Sequence, residues 1–193
     1  MQVTTTTAPV WRRFVAWLID SVIISVFTAA TLYVLIVHRS LAGAITIAVL
    51  EGLYKPMMEA RFGWTIGKRL LKIQVIDAVT GRGIDLNQSL MRYLPWATTV
   101  FVGIWVLDQY LKDPAFAEVL TMDDYFPYLR NSDWGENTYL GIIRQLPVFS
   151  SVWMVGDQLR QGIHDKLAGT LVVNAFTPVP NNNPPTQRTE WRD

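Results

Sequence analysis

The sequence contains no cysteine and few charged residues. The absence of cysteine excludes disulfide bridges and thiolate metal sites. Only 17% of the 193 residues are charged, whereas a soluble domain normally has about a quarter. The net charge is only +1 and no basic stripe is present, which argues against nucleic acid as the main partner. Half of the residues are hydrophobic, and this balance favours a membrane protein.

Long apolar runs account for the hydrophobic excess. Residues 14–37 would reach roughly 36 Å as a helix, which is enough to cross a bilayer core of about 30 Å. This run is too long for the core of a cleaved signal peptide and contains Asp20, so we expect a retained span. Further apolar runs cover 41–58, 93–111 and 142–159. The predicted fold is mainly α: a polytopic helical membrane protein with about four transmembrane helices.

The loop 59–92 has its own pattern. Residues 73–76 favour a strand, 80–83 read as a turn, and 84–86 as a short return, with Asn87 as the cap of the next helix. Residues 169–173 form another strand candidate. Because a lone hairpin is marginal in water, we predict that the late strand joins the hairpin in a small sheet at the cytoplasmic membrane surface.

The distribution of lysine and arginine predicts the orientation. With a cytoplasmic N-terminus, four basic residues lie in outer segments: Arg39, Lys112, Arg130 and Arg144. Twelve lie in inner segments: Arg12, Arg13, Arg61, Lys68, Arg69, Lys72, Arg82, Arg92, Arg160, Lys166, Arg188 and Arg192. The positive-inside rule therefore predicts a multi-pass protein of the cell membrane with both termini cytoplasmic.

Charged residues within or beside the apolar runs are candidate functional groups, because charge in a membrane span is costly unless it is paired or solvated. Asp20, Glu51, Lys55 and Arg92 form the predicted intramembrane polar cluster. Antiparallel packing brings Asp20 and Lys55 to similar depth, and the order Glu51 then Lys55 allows pairing on one helical face. We expect Asp20 to pair with Lys55 or Arg92. The alternative is that such pairs only fix helix register.

Arg13 precedes Asp20 by seven residues, close to two helical turns, and so shares its face. Because helical side chains tilt toward the N-terminus, Arg13 reaches more naturally toward lipid headgroups or Asp165. We expect an Arg13–Asp165 pair. In the alternatives, Arg13 is an orientation anchor, and Asp165 caps the turn before Lys166 or holds the sheet to the helices.

Enzymatic and cofactor motifs are missing. Residues 63–68 imitate a phosphate-binding loop, but the glycines are too close and Arg69 replaces the required Ser or Thr. The only histidines, His38 and His164, are predicted on opposite membrane sides and cannot share a metal. Nothing resembles an elbow serine or a nucleophile with its base. We expect no catalytic residue, no cofactor, no metal and no enzymatic activity.

The outer segment 112–141 is acidic and aromatic, and its asparagine- and aspartate-containing part lacks the full calcium-loop pattern. It is expected to be an ordered cap at the membrane interface or, alternatively, a docking surface for a partner or a site that attracts cations. Residues 1–10 are predicted to be a flexible N-terminus. Residues 175–193, rich in proline and asparagine, are predicted to be disordered.

Three motifs in order resemble the RDD family of small membrane proteins: WRRFVAWLID, FGWTIGKRLLKIQVID followed by SLMRYL, and RQGIHDKLAGTLVV. The resemblance covers nearly all of 11–174 and identifies Arg13, Asp20 and Asp165 as the family-defining charges. The segment of about thirty residues before the fourth apolar run departs from the family pattern and looks like an insertion. The resemblance implies a membrane location, and family members have been linked to ion transport and to scaffolding.

Two functional hypotheses follow. In the first, the protein transports a small cation or solute, with Asp20 and Glu51 as charge-changing sites. Four spans form only a thin wall around a transport path, so this hypothesis requires a homo-oligomer. The first span supplies small and hydroxyl residues for close helix packing between copies: Ser21, Ser25, Thr28, Ala29 and Thr31. In the second, the protein is an accessory or assembly subunit that docks onto other membrane proteins through 112–141.

Overall fold

The computed structural model describes residues 6–132 and 138–174. Its elements follow in chain order: α1 (Val10–Val37), α2 (Leu41–Phe62), α3 (Ile66–Leu70), β1 (Ile73–Asp77), α4 (Leu86–Lys112), a 3₁₀ turn (Pro114–Glu118), α5 (Met122–Asn131), α6 (Thr138–Val152), a second 3₁₀ turn (Trp153–Val155), α7 (Ile163–Leu167) and β2 (Thr170–Asn174). The mainly helical class is confirmed. The tail 175–193 lies outside the described residues.

Among the described residues, three helices are long and apolar enough to cross a membrane: α1, α2 and α4. The region of the fourth predicted span contains α6, which has 15 residues. The chain continues through one 3₁₀ turn and leaves the helix before residue 159. The count of about four spans therefore stays a prediction.

Helix α2 lies at the centre of the bundle, since it packs against both α1 and α4, while α6 packs on α4. Ser40 caps the start of α2, because its hydroxyl accepts the Gly43 N–H. Pro56 does not end the helix, which continues to Phe62 and stops at Gly63 in the left-handed region. Helices α1 and α6 are not packed closely on each other, and a groove remains between them.

One end of the bundle carries α3, the two strands and α7, and we call it the sheet end. The expected small sheet is present there: β1 and β2 are antiparallel, with Ile73 opposite Asn174 and Asp77 opposite Thr170. Gly83, the last residue of the predicted turn, forms an isolated bridge to Ile76 of β1. The next helix is capped by Asp85, not Asn87, through a reciprocal capping box with Gln88.

The first described residues also join this sheet. Thr7 bridges Val173, and the Ala8 N–H donates to the Val172 carbonyl at 2.9 Å. The expected flexibility of the N-terminus is therefore wrong for residues 6–8. Ala8 is fully buried in a small core with Ala16 of α1 and Ile73 of β1.

The opposite end of the bundle carries the 3₁₀ turn 114–118 and α5, and we call it the insertion end. Tyr110 of α4 packs against Phe116, Tyr125 and Tyr128 in an aromatic cluster. Arg39, in the link between α1 and α2, donates to the carbonyl oxygens of Phe116, Ala117 and Val119 at 2.7–3.0 Å. The described part of the insertion is thus fastened to the helices by packing and by hydrogen bonds.

Candidate functional site

Asp20, in the second turn of the apolar part of α1, is 2% exposed. Its carboxylate accepts hydrogen bonds from the Thr65 hydroxyl at 2.5 Å, the Gly67 N–H at 2.9 Å and the Tyr54 hydroxyl at 3.2 Å. Within residues 6–132 and 138–174 it forms no ion pair, so the expected pairing with Lys55 or Arg92 is wrong. Three donors satisfy the carboxylate without a cation.

The short helix α3 comes close to α1 because of Gly67. A Cβ atom at this position would lie 2.1 Å from the carbonyl oxygen of Ala16. Thr65 is the N-cap of α3 and also donates to Asp20. Residues 63–68, which imitate a phosphate-binding loop in sequence, therefore fasten the segment after α2 onto α1.

Arg13 pairs with Asp165 at 2.5 Å, which confirms the expected pairing. Asp165 is fully buried and also accepts the Gly162 N–H at 2.9 Å. Burial alone raises the pKa of Asp165, but the guanidinium groups of Arg92 and Arg13 outweigh burial and hold the pKa well below its usual range. The carboxylate therefore stays ionised in the folded protein.

Arg92 of α4 links this pair to a second carboxylate. Its Nε donates to Glu59 at 2.9 Å, and its Nη1 contacts Asp165 and the Thr170 hydroxyl. Glu59 also forms an ion pair with Lys68. We call these five residues the charged network: Arg13, Glu59, Lys68, Arg92 and Asp165. They join α1, α2, α3, α4 and α7 at the sheet end.

Glu59 and Lys68 were not among the predicted site residues. Glu59 lies one residue beyond the predicted second span, so it was assigned to a loop, although α2 continues to Phe62. The available signal was spacing, because Glu51, Lys55 and Glu59 follow one another at intervals of four residues and share a helical face.

Ser150, His164 and Asp165 lie in a row beside the network. The Ser150 hydroxyl is 2.8 Å from His164 Nδ1, and His164 Nε2 is 3.5 Å from Asp165. Burial lowers the pKa of His164 to about 3, which makes the imidazole a weak base. Ser150 is buried and also accepts the His164 backbone N–H. The arrangement anchors α7 to α6.

The groove between α1 and α6 has a volume of about 710 Å³. Its floor consists of α2 and α4, and apolar side chains such as Trp17 and Val148 line its walls. All four residues of the predicted intramembrane polar cluster line it: Asp20, Glu51, Lys55 and Arg92. The structure thus brings these charges into one groove without pairing them with one another.

Glu51 and Lys55 do not form the expected ion pair. Both carboxylate oxygens of Glu51 lie 3.3 Å from the Thr28 hydroxyl. The Lys55 ammonium lies 6.0 Å from the centre of the Trp96 ring. Neither side chain has an ion-pair partner among the residues that the structure describes, although the Asp20 and Glu59 carboxylates attract the Lys55 ammonium from beyond ion-pair distance. The groove thus presents one carboxylate and one ammonium whose direct contacts are open to a ligand.

The part of the chain that the structure describes contains no cluster suited to a metal. Within the described residues, no group of three or more His, Asp or Glu side chains could hold a metal ion. The chemistry that the groove offers is charge pairing and hydrogen bonding within apolar walls.

Comparison with known proteins gives the family. The model of the RDD family matches residues 7–169, which include Arg13, Asp20 and Asp165. No match was found among curated proteins or among solved structures. Because the family match covers most of the chain and three helices are suited to span a membrane, the chain is a membrane protein that belongs to the RDD family.

Proposed function

We propose that the protein is a non-catalytic transporter that moves a small charged solute through the groove between α1 and α6. One observation carries the proposal: Glu51 and Lys55 face the same groove and neither forms an ion pair with a described residue. Charges in the apolar part of a span that lack a partner are costly and commonly mark a substrate or ion pathway.

The hydrogen bonds of Asp20 favour a structural role for this residue, and they leave Glu51 of α2 as the candidate functional carboxylate. Its carboxylate is held by three donors and is almost completely buried, which suits a structural anchor. Among the described residues, Glu51 has only the hydroxyl of Thr28 as a hydrogen-bond partner. We therefore propose Glu51, and not Asp20, as the carboxylate that exchanges partners during transport.

A homo-oligomer would complete the wall of the path. Helix α1 presents small side chains on its exposed surface, among them Ser25, Thr28 and Ala29. Small residues allow close helix–helix packing in membranes. Thr28 also contacts Glu51, so a second copy packed on this surface would cover the groove beside the proposed site.

The proposed topology has four spans and both termini on the cytoplasmic side of the cell membrane. The backbone N–H of Asn174 donates to the carbonyl of Thr6 at 3.3 Å, so the two described chain ends meet at the sheet end. An even number of crossings is consistent with this contact, and α6 would supply the fourth. The excess of lysine and arginine in inner segments supports a cytoplasmic sheet end.

Flux into liposomes tests the proposal. The purified protein is assayed for sodium, potassium and proton flux and for uptake of labelled zwitterionic solutes. Glu51→Gln and Lys55→Met should each reduce flux at least about tenfold, the effect of losing one charge contact. Glu118→Gln and Lys112→Met, exposed at the insertion end, are the matched controls. Equal flux in all four variants would refute the proposal.

The second candidate is an accessory subunit that docks through 112–141. The favouring observation is a pair of apolar side chains on the fastened insertion: Leu120 is 67% exposed and Phe126 is 65% exposed. The test is co-purification from the native membrane, comparing the wild type with Leu120→Ser/Phe126→Ser and with a deletion of 113–140. A partner that is lost in both variants, together with an absence of flux, would favour this candidate.

A further inference from the structure

We infer that the ligand of the groove is a small zwitterion, such as an amino acid or a betaine. Its cationic nitrogen would contact Glu51 and its anionic group would contact Lys55. This inference rests on the proposed function and specifies its substrate class. It starts from the balance of charges along the groove.

The charges in and behind the groove already cancel. The charged network together with Asp20, Glu51 and Lys55 contains four carboxylates and four cations, so the net charge is zero. A lone cation or a lone anion would add net charge to a region of low dielectric, where uncompensated charge is costly. A zwitterion brings one charge of each sign and leaves the total unchanged.

The partners that are open match a zwitterion in number and sign. Within the network, each carboxylate contacts two cations, so no member needs a ligand. Glu51 and Lys55 lie one helical turn apart on α2, about 6 Å along the axis. Each could then receive one end of a short molecule that has an ammonium and a carboxylate.

The size and the walls of the groove fit a molecule larger than an ion. A volume of about 710 Å³ lies within the range of about 300–1,000 Å³ that is typical of small-molecule sites. The walls of the groove include Trp17 and Val148, and Tyr93 stacks on Trp96 at 6.3 Å in the floor. These surfaces would accommodate an apolar side chain or methyl groups.

The order of the two charges argues against a phospholipid. Lys55 lies nearer the sheet end than Glu51, because α2 begins beside Arg39 at the insertion end and ends at Gly63, whose carbonyl accepts the Val75 N–H of β1. A phospholipid entering from the sheet end with its phosphate at Lys55 would direct its acyl chains past the Glu51 carboxylate. A small zwitterion with its nitrogen at Glu51 avoids this unfavourable contact.

Ligand-dependent thermal unfolding of the full chain in detergent tests the inference. The probes are leucine and glycine betaine. The controls are two analogues of leucine that carry a single charge, isopentylamine and 4-methylpentanoate, and two salts, sodium chloride and potassium chloride. At saturation, at least one zwitterion should raise Tm by about 3 °C or more. The single-charge analogues should bind at least about tenfold more weakly, because each lacks one charged contact. Zwitterion binding that is no tighter than amine or carboxylate binding would overturn the inference.

Variants test the assigned contacts. Glu51→Gln and Lys55→Met should each weaken zwitterion binding about tenfold or more. The exchanged pair Glu51→Lys/Lys55→Glu should recover part of the loss, because a zwitterion can bind in the reverse direction. Unchanged binding in both single variants would overturn the inference.

The outcomes separate the inference from the proposed function. Sodium or potassium flux that depends on Glu51, without zwitterion binding, would support the proposed transport function and overturn the inference that the ligand is a zwitterion. Zwitterion binding without flux of any probe would keep the inference and overturn transport. A bound phospholipid that neither leucine nor betaine displaces would overturn the inference.

Discussion

At the sheet end, each carboxylate of the charged network contacts two cations, whereas Glu51 and Lys55 in the same groove form no ion pair with a described residue. Helix α2 carries residues of both sets, because Glu59 of the network follows Glu51 and Lys55 at intervals of four residues. The first set is saturated by partners from five elements. In the second set, Glu51 contacts the Thr28 hydroxyl, and Lys55 lies near the Trp96 ring and is attracted by Asp20 and Glu59 from beyond ion-pair distance. A charged residue in a membrane helix therefore does not by itself distinguish a structural role from a ligand-binding role. The distinction requires the partners of the charge.

The largest expected effect comes from removing the centre of the network. Arg92→Met leaves Glu59 and Asp165 short of a cation in a buried site, and such a loss costs about 3–5 kcal/mol. Thermal or denaturant unfolding in detergent would measure it, with the exposed Lys112→Met as the matched control. A loss below about 1 kcal/mol would mean that the network is not a structural unit.

The second expected effect concerns the anchor of α3. Asp20→Ala leaves the donors from Thr65, Gly67 and Tyr54 without their acceptor, and we expect a loss of about 2–3 kcal/mol. Gly67→Ala should also destabilise the protein, because the new Cβ meets the Ala16 carbonyl. The two losses should be less than additive in the double variant, since both disrupt the same contact.

Additive losses, or an Asp20→Ala variant as stable as the wild type, would contradict the assignment of Asp20 as an anchor. Glu118→Gln, a change of an exposed carboxylate, is the control.

These two sites also show what the sequence could predict. The helices follow from apolar runs that are long enough for a bilayer, and the Arg13–Asp165 pair follows from the side-chain direction of α1 and the family motif. The partners of Asp20 were missed because a hydroxyl and a backbone N–H leave no charge pattern in a sequence. Glu59 was missed because hydropathy marks the apolar part of a helix and not its end.

The unpaired state of Glu51 and Lys55 could not be predicted either. Their spacing of four residues favours an ion pair in an isolated helix. In the folded protein, Thr28 of α1 contacts Glu51 and Trp96 of α4 lies near Lys55. Side chains from neighbouring helices therefore decide whether the two groups meet, and this information is not contained in α2 alone.

Acid should weaken the sheet end specifically. The folded-state pKa of His164 is lowered to about 3, below its ordinary value near 6.5, so the unfolded chain binds a proton more readily between these values. Stability should therefore fall by up to about 1.4 kcal/mol per pH unit as the pH drops below about 6.5. The pKa of Asp165 is also lowered, so its contribution, present above about pH 4, is lost on further acidification.

His164→Gln should flatten the stability curve between about pH 6.5 and 4.5. Stability of the wild type and of His164→Gln would be compared by unfolding across this range. Parallel curves would show that His164 does not titrate as its buried position requires.

The smallest expected effect on stability separates the groove from the network most sharply. Lys55→Met removes an ammonium that has no ion-pair partner among the described residues and replaces it with an apolar side chain of similar length. We expect a loss of about 1 kcal/mol, because the ammonium forms no ion pair with a described residue and the Asp20 and Glu59 carboxylates attract it only from beyond ion-pair distance. The same variant should lose ligand binding and flux. If Lys55→Met instead destabilised the protein as strongly as Arg92→Met, Lys55 would belong to the structural set, and the distinction between saturated and open charges would fail at this residue.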